Sequence, residues 1–414
     1  MSLRSSFVEE DQGPLISIVA RSRSQGNRAV WTMTLRDGRR IVMGGPDQKG
    51  FEINQLRKNL QIAMNQACHH YGKGGTGCVL ERSREFTHRL FGFGRKFLTD
   101  AMPQFEDAGQ IDWHDIFSPT KHWDITKPLD FIDFTGPAEA LLPIEALPLA
   151  GLATARGRIN QMEMSELADL WTGFRCQTRR ILTTNTGPLT PILGGRHPKL
   201  RIAQFRHRNL AGSFRERLFF RQTKGIQPLG GGPRSMETTA SVTTRLGTRL
   251  AGHCHHHPGD NDITHLSCHS DGKDFYFSTQ KARQGMNHQK PHHITGAAIS
   301  GQSCREGGAR PAVFLNACSA NFMHSGEFSL VRSLAEGGNP LIIGPETLIP
   351  DDDAAFLSQQ FYTHFLRGYS AGHALHAAKM ELMRQRESLV GMFYTIYGNP
   401  DLFLHPSLLN GEVN

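Results

Sequence analysis

Residues 311–318 read PAVFLNAC, a short apolar run that ends at Cys318. A run of this length predicts a β-strand rather than a helix. In open α/β sheets the functional residues lie beyond the carboxyl ends of the strands. Cys318 follows its strand at that position. It is therefore a candidate for chemistry and not only a small buried side chain.

A second apolar run, ITHLSCH at 263–269, ends at His269 in the same way. Cys318 follows His269 by 49 residues, which leaves room for one strand–helix crossover between two neighbouring parallel strands. Parallel strands end at the same rim of a sheet. If these two strands are neighbours, the two side chains emerge together at that rim.

A cysteine and a histidine at one rim can act as a nucleophile and its base. A thiol with a pKa of about 8.5 is only slightly ionised at neutral pH, and a nearby imidazole can take its proton. The same imidazole can then protonate the leaving amine. The developing oxyanion needs N–H donors, and the backbone amides of Ser270 and Cys318 are the candidates.

The rest of the C-terminal part alternates short apolar strands with amphipathic helices. The predicted strands are 200–206, 340–344 and 392–398, and the predicted helices are 236–250, 326–336, 352–367 and 370–387. This alternation predicts an α/β fold with a mostly parallel sheet flanked by helices.

The N-terminal part also mixes strands and helices. We predict a strand at 14–20, a hairpin at 29–44 with Asp37-Gly38 at its turn, helices at 52–68, 84–103 and 161–183, and a strand at 128–134. A stretch at 184–198 is rich in Gly, Pro and Thr and marks a boundary. The expected division is an N-terminal α/β part at 1–190 and a second domain at 196–408.

The composition argues against several classes of protein. The 414 residues carry a net charge of +8 without a dense basic block, so no specific nucleic-acid binding is expected. No apolar run approaches the ~18 residues of a membrane helix. The start, MSLRSSFVEEDQG, lacks the apolar stretch of a secretory signal, which predicts a cytoplasmic protein. Seven cysteines, an odd number, predict free thiols rather than a disulfide framework.

Several segments resemble, in order, the elements of CHAT-domain peptidases. These segments are LLPIEALPL (141–149), ITHLSCHS (263–270), AVFLNACSAN (312–321), the stretch 334–353 and FYTIYGNPDLFL (393–404). The resemblance implies a caspase-like α/β fold of clan CD, with residues 1–190 as a regulatory or pseudo-protease part. It also implies peptide-bond hydrolysis by Cys318 as nucleophile and His269 as base, without a metal or organic cofactor. The spacing between the two residues is that of caspases.

The resemblance further implies a protein substrate, for example a gasdermin-like pore former, and activation by a partner or ligand. It places such proteins in bacterial defence or regulated cell death. Two positions depart from the family pattern. Ser270 stands where a glycine usually follows the base, and the Trp of the loop before Asp351 is missing. Asp351 matches an acid that can line an S1 pocket for Arg or Lys, and it fits equally well as the cap of a helix that starts near 352.

Two alternatives to the protease interpretation stay open. Ser270 leaves room for a catalytically silent interaction module on the same fold. The histidine-rich segment HCHHHPGD, followed by ITHLSCH, invites a zinc site, but its spacing matches no standard ligand framework. We therefore predict no resident metal.

Overall fold

The computed structural model describes most of the chain. The described residues are 16–23, 28–43, 51–72, 79–101, 131–137, 140–146, 158–182, 192–207, 209–230, 239–251, 253–254, 257–258, 260–270, 274–277, 293–295, 298, 310–318 and 330–409.

The strands and helices are numbered in chain order. The strands are β1 Ile16–Arg23, β2 Arg28–Leu35, β3 Arg40–Met43, β4 Phe51–Glu52, β5 Phe131–Gly136, β6 Gln177–Leu182, β7 Ile192–Leu193, β8 Leu200–Arg206, β9 Ile226–Gly230, β10 His253–Cys254, β11 His257–Pro258, β12 Ile263–Ser270, β13 Asp274–Tyr276, β14 His293–Thr295, β15 Ala312–Ala317, β16 Leu341–Pro345, β17 Tyr394–Gly398 and β18 Phe403–Leu404. The helices are α1 Ile53–Gly72, α2 Val79–Ala101, α3 Met164–Asp169, α4 Thr172–Arg175, α5 Ala211–Gln222, α6 Thr239–Ala251, α7 Leu330–Glu336, α8 Asp351–Leu366 and α9 Ala371–Arg386.

One large sheet runs through both halves of the chain. Its C-terminal block has the order β9-β8-β12-β15-β16, and all of these neighbours are parallel. Its N-terminal block, β6-β5-β1, is parallel as well, and the antiparallel β2 and β3 extend it. The predicted α/β class with a mostly parallel sheet is confirmed.

The two blocks meet at β17. This strand is antiparallel to β16 on one side and parallel to β6 on the other, where Tyr397 pairs with Arg180. The sheet therefore crosses the boundary predicted near residue 190 without a break, and a strand from near the C-terminus lies against the N-terminal block.

Helices cover both faces of the C-terminal block. Thr264 of β12 bonds to the Arg249 carbonyl of α6 at 2.7 Å on one face. On the other face His265 bonds to Tyr362 of α8 at 3.0 Å. Strands covered on both faces are largely apolar, and β15 reads as one apolar run up to Asn316, whereas β12 also contains the buried polar residues His265 and Ser267.

The predicted helix at 161–183 is wrong. This segment forms the two short helices α3 and α4 and then the strand β6. Alternate residues of β6 are buried, but one of them is the charged Arg180, which hides the period-2 pattern from a reading of hydropathy.

The hairpin at 29–44 is confirmed, since β2 and β3 are antiparallel and Gly38 takes a positive φ of 86° at the turn. Gly398 closes β17 with a φ of 100°, and a Cβ there would lie 2.4 Å from the Pro340 carbonyl oxygen. None of the helices described is both long and apolar enough to cross a membrane.

Candidate active site

Strands β12 and β15 are parallel neighbours, and their register pairs Cys268 with Ala317. His269 and Cys318 are the next residue on each strand. Side chains alternate between the faces of a sheet, so these two project from the same face, one strand spacing of about 4.8 Å apart at the backbone. The register therefore places His269 and Cys318 at the same end of two neighbouring strands.

The two side chains differ in exposure. His269 is exposed, whereas Cys318 is half-buried and its thiol lies 3.9 Å from the Ile349 carbonyl oxygen. Burial raises the pKa of the Cys318 thiol, and the nearby charge of Asp351 raises it further. At rest, this sulfur is a thiol rather than a thiolate at neutral pH.

His207 is a neighbour of His269 that the sequence analysis missed. It follows β8 directly, and the two imidazole rings meet edge to face with their centroids 4.8 Å apart. Burial lowers the pKa of His207 to about 4, with a smaller contribution from the charge of His269. His207 is therefore neutral above that pH, and its Nδ1 accepts a hydrogen bond from the Asn209 amide at 3.1 Å.

Ser270 continues β12 and pairs with Phe275 of the antiparallel strand β13. Among the described residues, Glu387 alone is a non-glycine with positive φ. The backbone at Ser270 is thus ordinary extended strand, which any residue adopts. The absence of the family's glycine places no strain on this position.

Asp351 is the first residue of α8 and lies beside the rim. Its Oδ2 accepts a hydrogen bond from the Gly212 amide at the start of α5, at 2.7 Å. A Cβ on Gly212 would lie 2.4 Å from Asp351 Oδ1, so this contact requires glycine. Burial raises the pKa of Asp351, and the Gly212 amide acts against that shift. The carboxylate thus joins two helices, and its charge also reaches the thiol.

A buried polar cluster around Glu216 of α5 underlies the two strand ends. Its carboxylate accepts hydrogen bonds from Ser267 and from Asn316 and Ser358, the last two at 2.5 Å. The His265 imidazole lies 3.2 Å from the Glu216 carboxylate. Ser267 and Asn316 pair in register.

Ser267 and Asn316 stand two residues before His269 and Cys318, and therefore on the same sheet face. Burial acts to raise the pKa of Glu216, but the charge of His265 and the hydroxyl bonds hold it below its ordinary value of 4.5. The ionised Glu216 thereby anchors Ser267 and Asn316, and with them the strands that precede His269 and Cys318.

Residues 231–399 match the family described as the CHAT domain. The resemblance inferred from the sequence is thereby confirmed for a segment that includes His269, Cys318 and Asp351. Two residues near the site lie outside the matched segment: His207, which follows β8, and Glu216 of α5.

Solved structures similar to the chain include the following two, both at very low identity. A chain of the separase–securin complex of Saccharomyces cerevisiae is 11% identical with a TM-score of 0.45, and the similarity covers 95% of this chain and 30% of that one. The Arg-specific cysteine proteinase gingipain R is 8% identical with a TM-score of 0.45, covering 97% of this chain and 80% of that one. This chain therefore spans less than a third of the first of the two. No curated protein matches the sequence.

The CHAT domain offers no cluster of three metal-ligating side chains within the part of the chain that the structure describes. The side chains of the histidine-rich segment 253–259 lie outside that part. The prediction concerning metal thus stays a prediction.

Proposed function

We propose that the chain is a cysteine endopeptidase in which Cys318 is the nucleophile and His269 the general base. The observation that carries the proposal is the parallel register of β12 and β15, which ends on Cys268 and Ala317, so that each candidate is the next residue of its segment. The CHAT domain match over both residues supports it.

The proposed reaction proceeds in two steps. As the Cys318 sulfur forms a bond to the scissile carbonyl carbon, His269 takes the thiol proton. The C–N bond then breaks, and the imidazolium gives this proton to the leaving amine. A water that loses its proton to His269 attacks the thioester and releases the acid and the free thiol. Amides at Ser270 and Cys318 are the proposed donors to the oxyanion.

The resting thiol has a consequence for this mechanism. Burial and the charge of Asp351 raise the pKa of Cys318, so the proton leaves during the attack and not beforehand. His269 is exposed at the rim and free to approach a bound peptide. His207 packs against His269 and is neutral, so it adds no positive charge beside His269.

The proposal is tested by incubating the full chain with a peptide library in the presence of reductant and a metal chelator. Cleavage that requires Cys318 supports the proposal. Cleavage that persists in Cys318→Ala, or that the chelator abolishes, contradicts it. A chain that cleaves nothing and whose Cys318 resists an acyloxymethyl ketone is the silent interaction module instead.

Asp351 is proposed to favour Arg or Lys at the P1 position. Asp351→Asn keeps an oxygen for the Gly212 amide and removes the charge, so kcat/KM for basic P1 peptides should fall about tenfold relative to neutral ones. Removing the charge should also lower the pKa of Cys318, because Asp351 raises it. Kinetics on matched peptides and the pH profile of Cys318 alkylation measure the two effects.

Asp352→Asn is the matched control, because its carboxylate is exposed and pairs with Arg215. We expect that variant to leave both readouts unchanged. If Asp351→Asn alters the melting temperature but not the P1 ratio, Asp351 only joins the two helices.

The finer parts of the proposal rest on the family resemblance. The protease would be cytoplasmic and would be activated by a partner or ligand. Its substrate would be a partner protein, such as a gasdermin-like pore former in bacterial defence or regulated cell death. Residues 1–190 would be the regulatory or pseudo-protease part and 196–408 the catalytic domain, with no cofactor. A single Cys318-dependent cut in a gasdermin-like protein incubated with the chain would support this assignment, and an intact protein would contradict it.

A further inference from the structure

The loop between β16 and α8, residues 346–350, lies against the candidate nucleophile and is called the thiol loop. The Ile349 carbonyl oxygen is 3.9 Å from the Cys318 sulfur. Asp351, the next residue after the loop, bonds to Gly212 and acts on the thiol through its charge. The conformation of this loop therefore decides which groups face the sulfur.

The thiol loop is held by α1, from the opposite end of the chain. Asn65 Oδ1 accepts a hydrogen bond from the Thr347 hydroxyl at 2.6 Å and a second from the Leu348 amide at 3.3 Å. Cys68 lies one helical turn further along the same face of α1, and its thiol is within hydrogen-bonding reach of the Thr347 side chain. Thr347 is fully buried at this contact.

A second contact holds the same loop from the N-terminal block. Glu346, the first residue of the loop, is buried and accepts a hydrogen bond from Arg180 of β6 at 2.5 Å. The loop is thus bound to α1 and to β6, both of which lie outside the CHAT domain match. Within the loop, Glu346, Thr347 and Ile349 are buried and Leu348 is 40% exposed.

We propose that Asn65 is a positioning residue for Cys318: it keeps the thiol loop closed against the sulfur, so that the N-terminal half completes the active site. The inference rests on the proposed function for the role of Cys318 as nucleophile. A single amide oxygen satisfies both a buried hydroxyl and a backbone N–H of the loop. Its loss leaves the buried Thr347 hydroxyl without its acceptor and frees the Leu348 amide.

The test measures the alkylation rate of each cysteine of the full chain by iodoacetamide and mass spectrometry. Asn65→Leu removes the acceptor oxygen at similar volume, and we expect Cys318 to react about tenfold faster because two hydrogen bonds that close the loop are lost. Asn65→Asp keeps an acceptor oxygen and should stay near the wild-type rate. Thr347→Val should add little to Asn65→Leu, since both remove the same bond.

Asn59→Leu is the matched control, because Asn59 lies on the same helix and bonds only to Gln55 one turn away in the described contacts. The buried Cys176 and Cys268 report on global unfolding within the same experiment. An unchanged Cys318 rate in Asn65→Leu overturns the inference. A parallel rise at Cys176 and Cys268 overturns it as well, because it shows a loss of the whole fold.

This readout is independent of proteolysis. A chain that cleaves no peptide would contradict the proposed function, yet the alkylation rates would still decide whether Asn65 controls Cys318. Where a peptide is cleaved, kcat/KM of Asn65→Leu should fall by a similar factor and Asn65→Asp should restore it.

Discussion

Replacing Cys318 with alanine is expected to reduce kcat/KM for a cleavable peptide by at least about 10³-fold. The sulfur supplies the electron pair that forms the acyl-enzyme, and an alanine methyl group cannot replace it. His269→Ala is expected to cause a loss of the same order, because without a base the thiol keeps its proton. The double variant should be no worse than either single one, since nucleophile and base act as a unit.

Two controls separate this loss from misfolding. Cys176→Ala removes a buried thiol at the start of β6, and His88→Ala removes an exposed imidazole of α2. Both should retain cleavage within about twofold, as expected for residues outside the reacting unit. If Cys318→Ala keeps a tenth of the wild-type kcat/KM, another residue is the nucleophile.

Replacing Arg180 with methionine is expected to lower the free energy of unfolding by about 3–5 kcal/mol. The Arg180 side chain is fully buried in β6 and pairs with two carboxylates that are nearly as buried, Glu145 and Glu346. It also donates to the Tyr397 hydroxyl at 3.0 Å. The variant removes the cation that both buried carboxylates contact, which costs more than the ion pairs themselves contribute.

The pH dependence of this loss follows from Glu346. Burial already raises the pKa of Glu346, and Arg180 acts against that shift. Without Arg180 the pKa of Glu346 rises further above its ordinary value of 4.5. Above pH 4.5 a raised pKa in the folded state lowers the free energy of unfolding, because Glu346 ionises more readily in the unfolded chain. The difference in free energy of unfolding between Arg180→Met and wild type should therefore shrink as the pH falls towards 4.5.

Urea unfolding of wild type and Arg180→Met at several pH values measures this difference. Arg179→Met is the matched control, because Arg179 is the next residue of β6, is 24% exposed and pairs with the partly exposed Asp133. Its cost should be smaller than that of Arg180→Met, because water still reaches the pair with Asp133. Glu145→Gln and Glu346→Gln should recover part of the loss in Arg180→Met. A cost for Arg180→Met equal to that of Arg179→Met contradicts the account.

Four strands of the C-terminal block, β8, β12, β15 and β16, were predicted from the sequence, whereas its edge strand β9 was not. Each of these four strands contains a short cluster of apolar residues, and 200–206 has the same bounds as β8. The prediction failed at 161–183, where buried Arg180 disguises a strand. Its partners, Glu145 and Glu346, are far away in the chain, so nothing local marks it as buried.

The candidate site was predicted only in part, for a related reason. His269 and Cys318 end two apolar runs and can be found from the sequence. His207 also follows a predicted strand, 200–206, and the position of that strand end was the one signal that could have found it. Glu216 and Asn65 are single polar residues in helices, and their contacts with β12, β15 and the thiol loop depend on tertiary packing.

The central claim is that Cys318 and His269 act together at one rim, and labelling by a peptidyl acyloxymethyl ketone tests it most directly. The full chain and its His269→Ala and His88→Ala variants are treated with the reagent, and the modified residue is identified by mass spectrometry. We predict an adduct on Cys318, formed at the wild-type rate in His88→Ala and at least about a hundredfold more slowly in His269→Ala. An adduct on another cysteine, or a rate on Cys318 that does not depend on His269, would contradict the claim.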